Sequence, residues 1–462
     1  MSMVSSVDFF NPAYFTQFYN EHLKSKKGGG RDGLTPISFW KRYQAELDDI
    51  AARCLMGTYE FSPYRESLVL KGRNKKPRVL SVPSMRDRLV LGVLNKYLQE
   101  VFPDAVSHEV PNQCINEVSR FMAERTSLPL WYFKTDIKGF FDELDLDMLY
   151  EKLETKLDTN ILILVRKAID TVTLADGECH KGLRSLHRKR GVPQGLAISN
   201  ILAGIYMREF DQTFNGSSSP VALYKRYVDD IFILSDSEIT QDFVDQFKVE
   251  LILKGSTLRL SADKTQFGRL GESHVHYIGY SIQSALSISI LPKNVQNYLD
   301  RLSRLITRYR GQKANPSFRP RFISKDSDFE SYYVYKINQK LAGLKISNHL
   351  YGWMPYFQAS TDLHLLYKLD AIIHKKFLRG CGIEAKILHL PVVYWDIKKH
   401  AGNHTLTDFD EISDPTQMRA YLAKVGMINK DIDYTDDEIK NIFFAHLEHL
   451  KKDAHMSVGT TY

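Results

Sequence analysis

The sequence lacks long apolar runs, paired cysteines and internal repeats. No apolar run approaches the roughly 18 residues of a membrane helix, and the N-terminus has no basic stretch leading into an apolar one, as a secretory signal would. The four cysteines are far apart and form no C-x-x-C pair, which fits free thiols in a reducing compartment. We therefore expect a cytoplasmic protein with no membrane partner.

Excess charge is modest. The formal net charge is +7 and the isoelectric point is near 8.9, which suits a nucleic-acid partner without separating one from an ordinary globular protein. Hydrophobic residues make up 43% of the 462-residue chain, and this length is typical of roughly three domains. Near the C-terminus, His446 and His449 lack further ligands at metal-binding spacing, so nothing in the sequence indicates a zinc-bearing domain there.

Hydrophobic spacing predicts a chain that mixes helices and strands. Helical periodicity covers residues 1–60 and 86–125, whereas residues 66–83 alternate into two strands around a basic turn. Residues 293–310 have an apolar stripe opposite several arginines, which predicts a helix with a basic face. Helices are predicted for residues 330–380 and near the C-terminus.

A hairpin at residues 223–234 carries two adjacent acids. Leu223 to Tyr227 and Ile231 to Leu234 are rich in aromatic and β-branched residues, so Asp229 and Asp230 lie at the tip between two strands. Tight hairpin turns favour Asn-Gly or Asp-Gly because the backbone often needs positive φ, and Val228 fits that geometry poorly. Surface hairpins often carry Asp, but a local rule broken at an acidic tip indicates function.

A third carboxylate, Asp136, closes a strand that runs through Phe133. It could lie beside Asp229 and Asp230 in one sheet, where the three negative charges would repel one another. Mg²⁺ prefers such carboxylates because it keeps several waters and takes other oxygens from substrate phosphates. The residues therefore suggest two Mg²⁺ ions for phosphoryl transfer, with Mn²⁺ as an alternative and the backbone carbonyl of Ile137 as a further ligand.

Several motifs together resemble those of reverse transcriptases. Five segments resemble, in order, motifs A to E of a reverse transcriptase palm: FKTDIKGFFDELD (133–145), GVPQGLAISNILAGIYM (191–207), RYVDD (226–230), LRLSADKTQFG (258–268) and HYIGYSI (276–282). Residues 76–94 resemble the preceding fingers motifs. The resemblance implies an α+β right-hand polymerase: a helical N-terminal extension (1–65), fingers and palm (66–290), an α-helical thumb (291–325) and an α-helical C-terminal domain (326–462).

The resemblance also implies roles for single residues. Asp136, Asp229 and Asp230 would bind the metals, and Lys264 would serve as an acid for the pyrophosphate leaving group. The nucleotide would be bound by Lys71, Arg78, Ile137, Phe141 and Gln194, with Phe141 crowding the 2′-hydroxyl. For Lys71, the cations Arg73, Lys75 and Lys76 are alternatives, and Phe141 is alternatively a core aromatic. Primer and duplex would contact Tyr277, Gly279, Tyr280, Arg301, Arg304 and Arg308, although the helix bearing these arginines is alternatively a solvated surface.

Residues 337–380 resemble the helical extension of bacterial defence-associated, abortive-infection-like reverse transcriptases, which are related to group II intron and retron enzymes. This resemblance implies an RNA-directed DNA polymerase that uses dNTPs, makes a DNA product and works with a structured non-coding RNA as template or scaffold in antiphage defence. A homo-oligomer is left open. The alternatives are a template-independent DNA polymerase or RNA-dependent RNA polymerase on the same palm, and a non-catalytic RNA-binding module.

Overall fold

The computed structural model describes residues 4–24, 29–70, 76–106, 111–125, 129–178, 187–215, 221–320, 323, 325–400, 404–429 and 432–458. The chain forms two compact units. The first comprises Met1–Glu109 and Trp131–Gly268, and the second comprises Val110–Leu130 and Arg269–Tyr462. In the described part of the chain, no helix is both long and apolar enough to cross a membrane.

The chain as far as residue 269 mixes helices and strands, and all of these elements except α5 belong mainly to the first unit. They are α1 (Pro12–Phe18), α2 (Pro36–Tyr43), α3 (Leu47–Leu55), β1 (Tyr64–Val69), β2 (Arg78–Val82), α4 (Met85–Val101), α5 (Pro111–Ala123), β3 (Trp131–Asp136), α6 (Phe140–Glu143), α7 (Leu146–Glu154), α8 (Thr159–Asp170), β4 (Thr173–Leu174), α9 (Ser199–Asn215), β5 (Leu223–Tyr227), β6 (Asp230–Ser235), α10 (Gln241–Gly255) and β7 (Gln266–Arg269).

The main sheet of the first unit has the strand order β5-β6-β3-β7. Strand β6 is antiparallel to both β5 and β3, and its residues are buried along its whole length. Phe133 of β3 packs its ring 4.8 Å from that of Phe247 on α10, so the helix covers one face of the sheet. The sheet therefore brings the last residues of β3 and β5 and the first residue of β6 to the same edge.

A smaller sheet of the first unit has the order β2-β1-β4. Strands β1 and β2 are antiparallel, which confirms the hairpin predicted for residues 66–83. Residues 71–75 of its basic turn lie outside the described residues. Parallel pairing of β1 with β4 ties the hairpin to the segment that follows α8.

The second unit is mostly helical and also contains two three-stranded sheets, β10-β9-β8 and β12-β11-β13. Its remaining elements are β8 (Val275–Tyr277), β9 (Tyr280–Ser284), β10 (Ser287–Ile290), α11 (Pro292–Ala314), α12 (Asp326–Ala342), β11 (Leu344–Ile346), β12 (His349–Tyr351), α13 (Trp353–Tyr356), α14 (Leu363–Ala371), a π-helical segment (Ile372–Phe377), α15 (Leu390–His400), β13 (Thr407–Asp408), α16 (Pro415–Lys424) and α17 (Asp436–Val458).

The hairpin of β11 and β12 was not predicted, since helices were expected throughout residues 330–380. Its two turn residues, Ser347 and Asn348, have φ values of +52° and +60°, as a tight two-residue hairpin turn requires. Asp410 accepts hydrogen bonds from both turn amides, at 2.5 and 2.8 Å. Three-residue strands leave almost no periodic signal in a sequence, so only the Ser-Asn pair could have indicated this turn.

A capping box formed by Thr435 and Glu438 precedes α17. The amide of Thr435 donates to Glu438 Oε2 at 2.9 Å, and the amide of Glu438 donates to Thr435 Oγ1 at 3.3 Å. The two side chains thereby satisfy backbone donors that a helix start leaves without intrahelical partners.

Candidate active site

Three aspartates meet at one edge of the main sheet, as the sequence predicted. Asp136 ends β3 and stands directly opposite Asp230, the first residue of β6, in the antiparallel register. Asp229 lies in the turn before β6, and its carbonyl accepts a hydrogen bond from the amide of Ile137 at 2.9 Å. Strand register and this turn contact therefore hold all three acids beside one another.

Lysines neutralise two of these acids. Lys264 Nζ lies 2.7 Å from Asp136 Oδ2, while Ser261 donates to Asp136 Oδ1 at 3.0 Å. Lys134, which lies on β3 with Asp136, places its Nζ 3.0 Å from Oδ1 of Asp230 on the neighbouring strand β6. Asp136 and Asp230 are therefore each paired with a different cation, and the ligand atoms of the three described aspartates do not all come within 4.8 Å of one another.

Burial and mutual repulsion make ionisation of this site costly. Burial raises the pKa of Asp230 to about 6, an effect that Lys134 opposes and that the charges of Asp229 and Asp136 increase. Burial and the charge of Asp136 also raise the pKa of Asp229. Oxygen-rich carboxylates with raised pKa values fit divalent cations such as Mg²⁺, because a bound cation favours their ionised forms.

The hairpin tip is strained, as the sequence suggested. Val228 has a φ of +59°, which is unfavourable for a β-branched residue. Arg226 holds this conformation by donating from its guanidinium to the carbonyl of Val228 at 2.8 Å. Asp211 of α9 anchors Arg226 through two hydrogen bonds, one of them 2.7 Å long from Arg226 Nε, and accepts another from Tyr224 Oη at 2.7 Å.

Sequence reasoning had not assigned the roles of Arg226, Asp211, Lys134 and Ser261. Arg226 stands within the RYVDD motif, but its partner Asp211 lies 15 residues earlier, on a helix. Only the fold brings these two residues together, so no spacing rule indicated the pair.

A known protein family matches the segment of the chain that contains the three aspartates. Residues 69–282 match the family model described as "Reverse transcriptase (RNA-dependent DNA polymerase)". This range includes strand β2, the main sheet and all three aspartates. Residues 69–282 are therefore similar to a reverse transcriptase domain.

Two curated proteins are also similar to this chain. The chain is 27% identical over 205 residues to "Group II intron-encoded protein LtrA" of Lactococcus lactis subsp. cremoris, covering 43% of this chain and 33% of that protein. It is 25% identical over 303 residues to "Protein YkfC" of Escherichia coli, covering 56% of this chain and 77% of that protein. Thus the chain spans only about a third of the intron-encoded relative.

Among solved structures, the chain is similar to a telomerase of Candida albicans in complex with a fragment of telomeric RNA. The TM-score is 0.45 and the identity 15%, over 78% of this chain and 69% of that one. A Candida tropicalis telomerase matches with a TM-score of 0.41 and 14% identity, over 72% of this chain and 64% of that one.

Next to the strained turn residue Val228 lies a cavity of about 300 Å³. Phe140 and Phe141 both line it together with Val228 and Asn200, and Phe140, which is 3% exposed, also belongs to the core. Phe141 is partly buried. Both aromatics therefore contact the cavity, Phe141 also packs against the core, and its role at the nucleotide stays a prediction.

The P-Q-G turn is pinned to strand β2. The amide of Ser81 donates to the carbonyl of Gln194 at 2.7 Å, and Gln194 Nε2 donates to Asp142 at 3.1 Å. Gly195 has a φ of +100°, and a Cβ there would come within 3.1 Å of the Ser81 carbonyl, so glycine fits both the conformation and the space.

Of the two predicted fingers cations, Arg78 is the first residue of β2. Its positive charge opposes the rise in the pKa of Asp229, so Arg78 lies near the acids. Lys71 lies outside the described residues, as do its alternatives Arg73 and Lys75. Lys76 is described and exposed.

The predicted primer contacts lie in the second unit. Tyr277 and Tyr280 end β8 and begin β9 and are buried, and Gly279 between them has a φ of +90°. A Cβ on Gly279 would lie 2.9 Å from Asn294 Nδ2 of α11, and this amide donates to the Gly279 carbonyl at 3.2 Å. The tight turn is thus packed against the start of α11.

The three predicted arginines lie along α11, which confirms a helix at residues 293–310. Arg304 and Arg308 are exposed, and Arg301 is partly buried, with Asp453 of α17 among the charges that act on it. Tyr298, Leu302 and other apolar residues of the helix are buried on the opposite face.

Proposed function

We propose that this protein is an RNA-directed DNA polymerase whose active site consists of Asp136, Asp229 and Asp230. The observation that carries the proposal is the juxtaposition of Asp136 and Asp230 across two strands, with Asp229 on the adjoining strained turn. Positive φ at a β-branched residue is costly and occurs chiefly where function requires it.

The three carboxylates would hold two Mg²⁺ ions, which supply charge stabilisation for the attacking and leaving oxygens of nucleotidyl transfer. Lys264 is positioned to hold a proton beside Asp136. Burial lowers its pKa, but the hydrogen bond and the charge of Asp136 outweigh burial and raise it, so its ammonium form is favoured near neutral pH. An ammonium with nearly half of its side chain exposed fits a proton donor to a leaving pyrophosphate.

Phe141 would select deoxynucleotides. Its ring lines the cavity next to the hairpin, and its backbone carbonyl is fixed by a 2.8 Å hydrogen bond from the amide of Val192. A fixed aromatic wall excludes a 2′-hydroxyl by contact, and discrimination by such contacts depends on how little the wall moves.

We further propose that the polymerase works with a companion structured RNA in bacterial antiphage defence. The support is the resemblance of residues 337–380 to the helical extension of defence-associated reverse transcriptases, together with the net charge of +7 and the exposed Arg304 and Arg308 on α11. Basic side chains contribute affinity for the phosphate backbone of RNA.

The polymerase activity is tested on the protein purified with its bound nucleic acid. The complex is incubated with Mg²⁺ and labelled dNTPs, and the co-purifying RNA and the product are sequenced. We expect DNA complementary to one bound RNA, no product from Asp229→Asn, and unchanged product from Asp242→Asn, which removes an exposed acid on α10. Product from Asp229→Asn would refute the site, and homopolymer would indicate template-independent synthesis.

The defence role is tested separately by phage plating on bacteria that express the chain together with its co-purifying RNA. We expect protection by the wild type and by Asp242→Asn but not by Asp229→Asn. Equal plating on all three strains, with synthesis intact in vitro, would refute the defence role and leave the polymerase assignment standing.

A further inference from the structure

In the second unit, three potential metal ligands come together at the end of α14. Asp370 is in the last turn of α14, His374 lies in the π-helical segment that follows, and His389 immediately precedes α15. One ligand atom from each lies within 4.8 Å of the others. We call these residues the Asp370 cluster, and they are far from the predicted polymerase residues in sequence.

The contacts within the Asp370 cluster are short and convergent. His389 Nδ1 lies 2.8 Å from Asp370 Oδ2, and His374 Nε2 lies 3.6 Å from Asp370 Oδ1. The carbonyl oxygen of Leu388 lies 3.2 Å from His374 Nε2, so a fourth potential ligand atom lies beside this imidazole. The donors are two imidazole nitrogens, one carboxylate and one backbone carbonyl.

These separations match a small tetrahedral cation. Zinc binds nitrogen and oxygen at about 2.0–2.2 Å, so the ligands of a tetrahedral site lie roughly 3.3–3.5 Å apart. The observed separations of 2.8, 3.2 and 3.6 Å bracket that value. Small side-chain rotations would bring the donors to bonding positions.

The two imidazole rings are stacked, with centroids 4.0 Å apart and planes inclined by 17°. Asp370 and His374 are largely buried, with 16% and 14% of their side chains exposed, while His389 is 56% exposed and leaves an entry path.

The backbone also favours a site here. A π-helical turn is uncommon and often marks a functional position, and here it holds His374 four residues after Asp370 on the same side of the helix. The amide of Leu390 donates to Asp370 Oδ1 at 2.8 Å, which orients the carboxylate as the outer partners of metal ligands do.

We propose that Asp370, His374 and His389 bind one Zn²⁺ ion, with the Leu388 carbonyl as a fourth ligand, and that this ion clamps the start of α15 to the end of α14. Imidazole with carboxylate and carbonyl oxygen is a ligand set that suits zinc. Without the ion, one imidazole donates its proton to Asp370 and the other to the Leu388 carbonyl. When the ion binds, each imidazole would carry its proton on its other ring nitrogen.

The test uses untagged full-length protein freed of metal with a chelator and titrated with Zn²⁺ or Co²⁺ in excess Mg²⁺. We expect one equivalent bound to the wild type, with the visible absorption of tetrahedral Co²⁺, and binding at least about tenfold weaker in His389→Gln. His364→Gln, which changes an exposed histidine on α14, should bind as the wild type does.

Thermal unfolding provides the second measurement. Zn²⁺ should raise the Tm of the wild type and of His364→Gln but not that of His389→Gln, since a ligand that binds only the folded state stabilises it. The metal-free Tm values of all three should be similar, because a glutamine at position 389 still offers a hydrogen-bond donor to Asp370. Equal zinc affinity in wild type and His389→Gln, or no zinc bound by the wild type, would overturn the proposal.

Discussion

The pair of Arg226 and Asp211 gives the sharpest prediction for the polymerase site. Only 13% of the Arg226 side chain and 22% of the Asp211 side chain are exposed, and the guanidinium also holds the Val228 carbonyl. Asp211→Asn keeps the shape and the acceptor for Tyr224 but removes the charge. Breaking a fully buried pair costs about 3–5 kcal/mol, and the residual exposure here reduces our expectation to about 2–3 kcal/mol.

The same substitution should slow nucleotide incorporation. With Arg226 weakly held, Val228 is free to relax from a strained conformation that costs about 1–3 kcal/mol, and the adjacent Asp229 moves with it. A displacement of about 1 Å at a catalytic group lowers the rate by about 100-fold. Single-turnover dNTP incorporation at saturating Mg²⁺ measures this loss, and urea unfolding measures the stability.

A double variant separates the two effects. Asp211→Asn with Arg226→Met removes both charges, so no unpaired cation stays buried, and the free energy of unfolding should return to within about 1 kcal/mol of the wild type. Incorporation should stay about 100-fold slow, because nothing holds the Val228 carbonyl. A double variant with wild-type incorporation would refute the positioning role, and a stable Asp211→Asn single variant would refute the electrostatic reasoning.

Three further predictions concern single side chains. Phe141→Ala should raise ribonucleotide use relative to deoxynucleotide use while Phe141→Tyr retains discrimination; competitive incorporation measures this, and an unchanged ratio in Phe141→Ala would return the ring to the core. Lys264→Met should slow the chemical step by about 100-fold, with partial recovery in Lys264→Arg, and a rate equal to wild type in single-turnover assays would exclude it as the proton donor. Because the pKa of Asp230 is raised from its ordinary value of 3.8 to about 6, the folded state keeps this proton where the unfolded state has lost it, so this group's contribution to stability falls as pH rises from about 4 to 6. Asp230→Asn also leaves the nearly buried Lys134 without this acid, which lowers stability at both pH values. The change in the free energy of unfolding of the metal-free protein should therefore be more favourable at pH 7.5 than at pH 4.5 in urea titrations, and equal changes at both values would contradict the raised pKa.

The sequence predicted those features that depend on local pattern. The strands around Asp229 and the basic helix α11 were readable because each has several residues of the right period. The strain at Val228 was readable because a β-branched residue occupies a turn that needs positive φ. These are local consequences of residue type.

Features that depend on contacts between distant parts of the chain could not be predicted from the sequence. Asp211 reaches Arg226 only because α9 packs beside β5, and His389 reaches Asp370 only through the turn between α14 and α15. The absence of a zinc-type pattern in the C-terminal region was an argument from spacing, and spacing does not register ligands that are 19 residues apart in the chain. A spatial cluster of single histidines leaves no motif.

The direct pairing of Asp136 with Asp230 has a consequence for which genetic changes the domain tolerates. Side chains alternate between the two faces of a strand, so a one-residue deletion within β3 would turn every later side chain of that strand to the opposite face. Substitutions at the neighbouring Thr135 or Lys134 change one side chain each, whereas a deletion before Phe133 turns both Phe133 and Asp136 away from their present partners. We infer that length changes are confined to the loops of this domain, and that β3 and β6 vary in residue type but not in residue number.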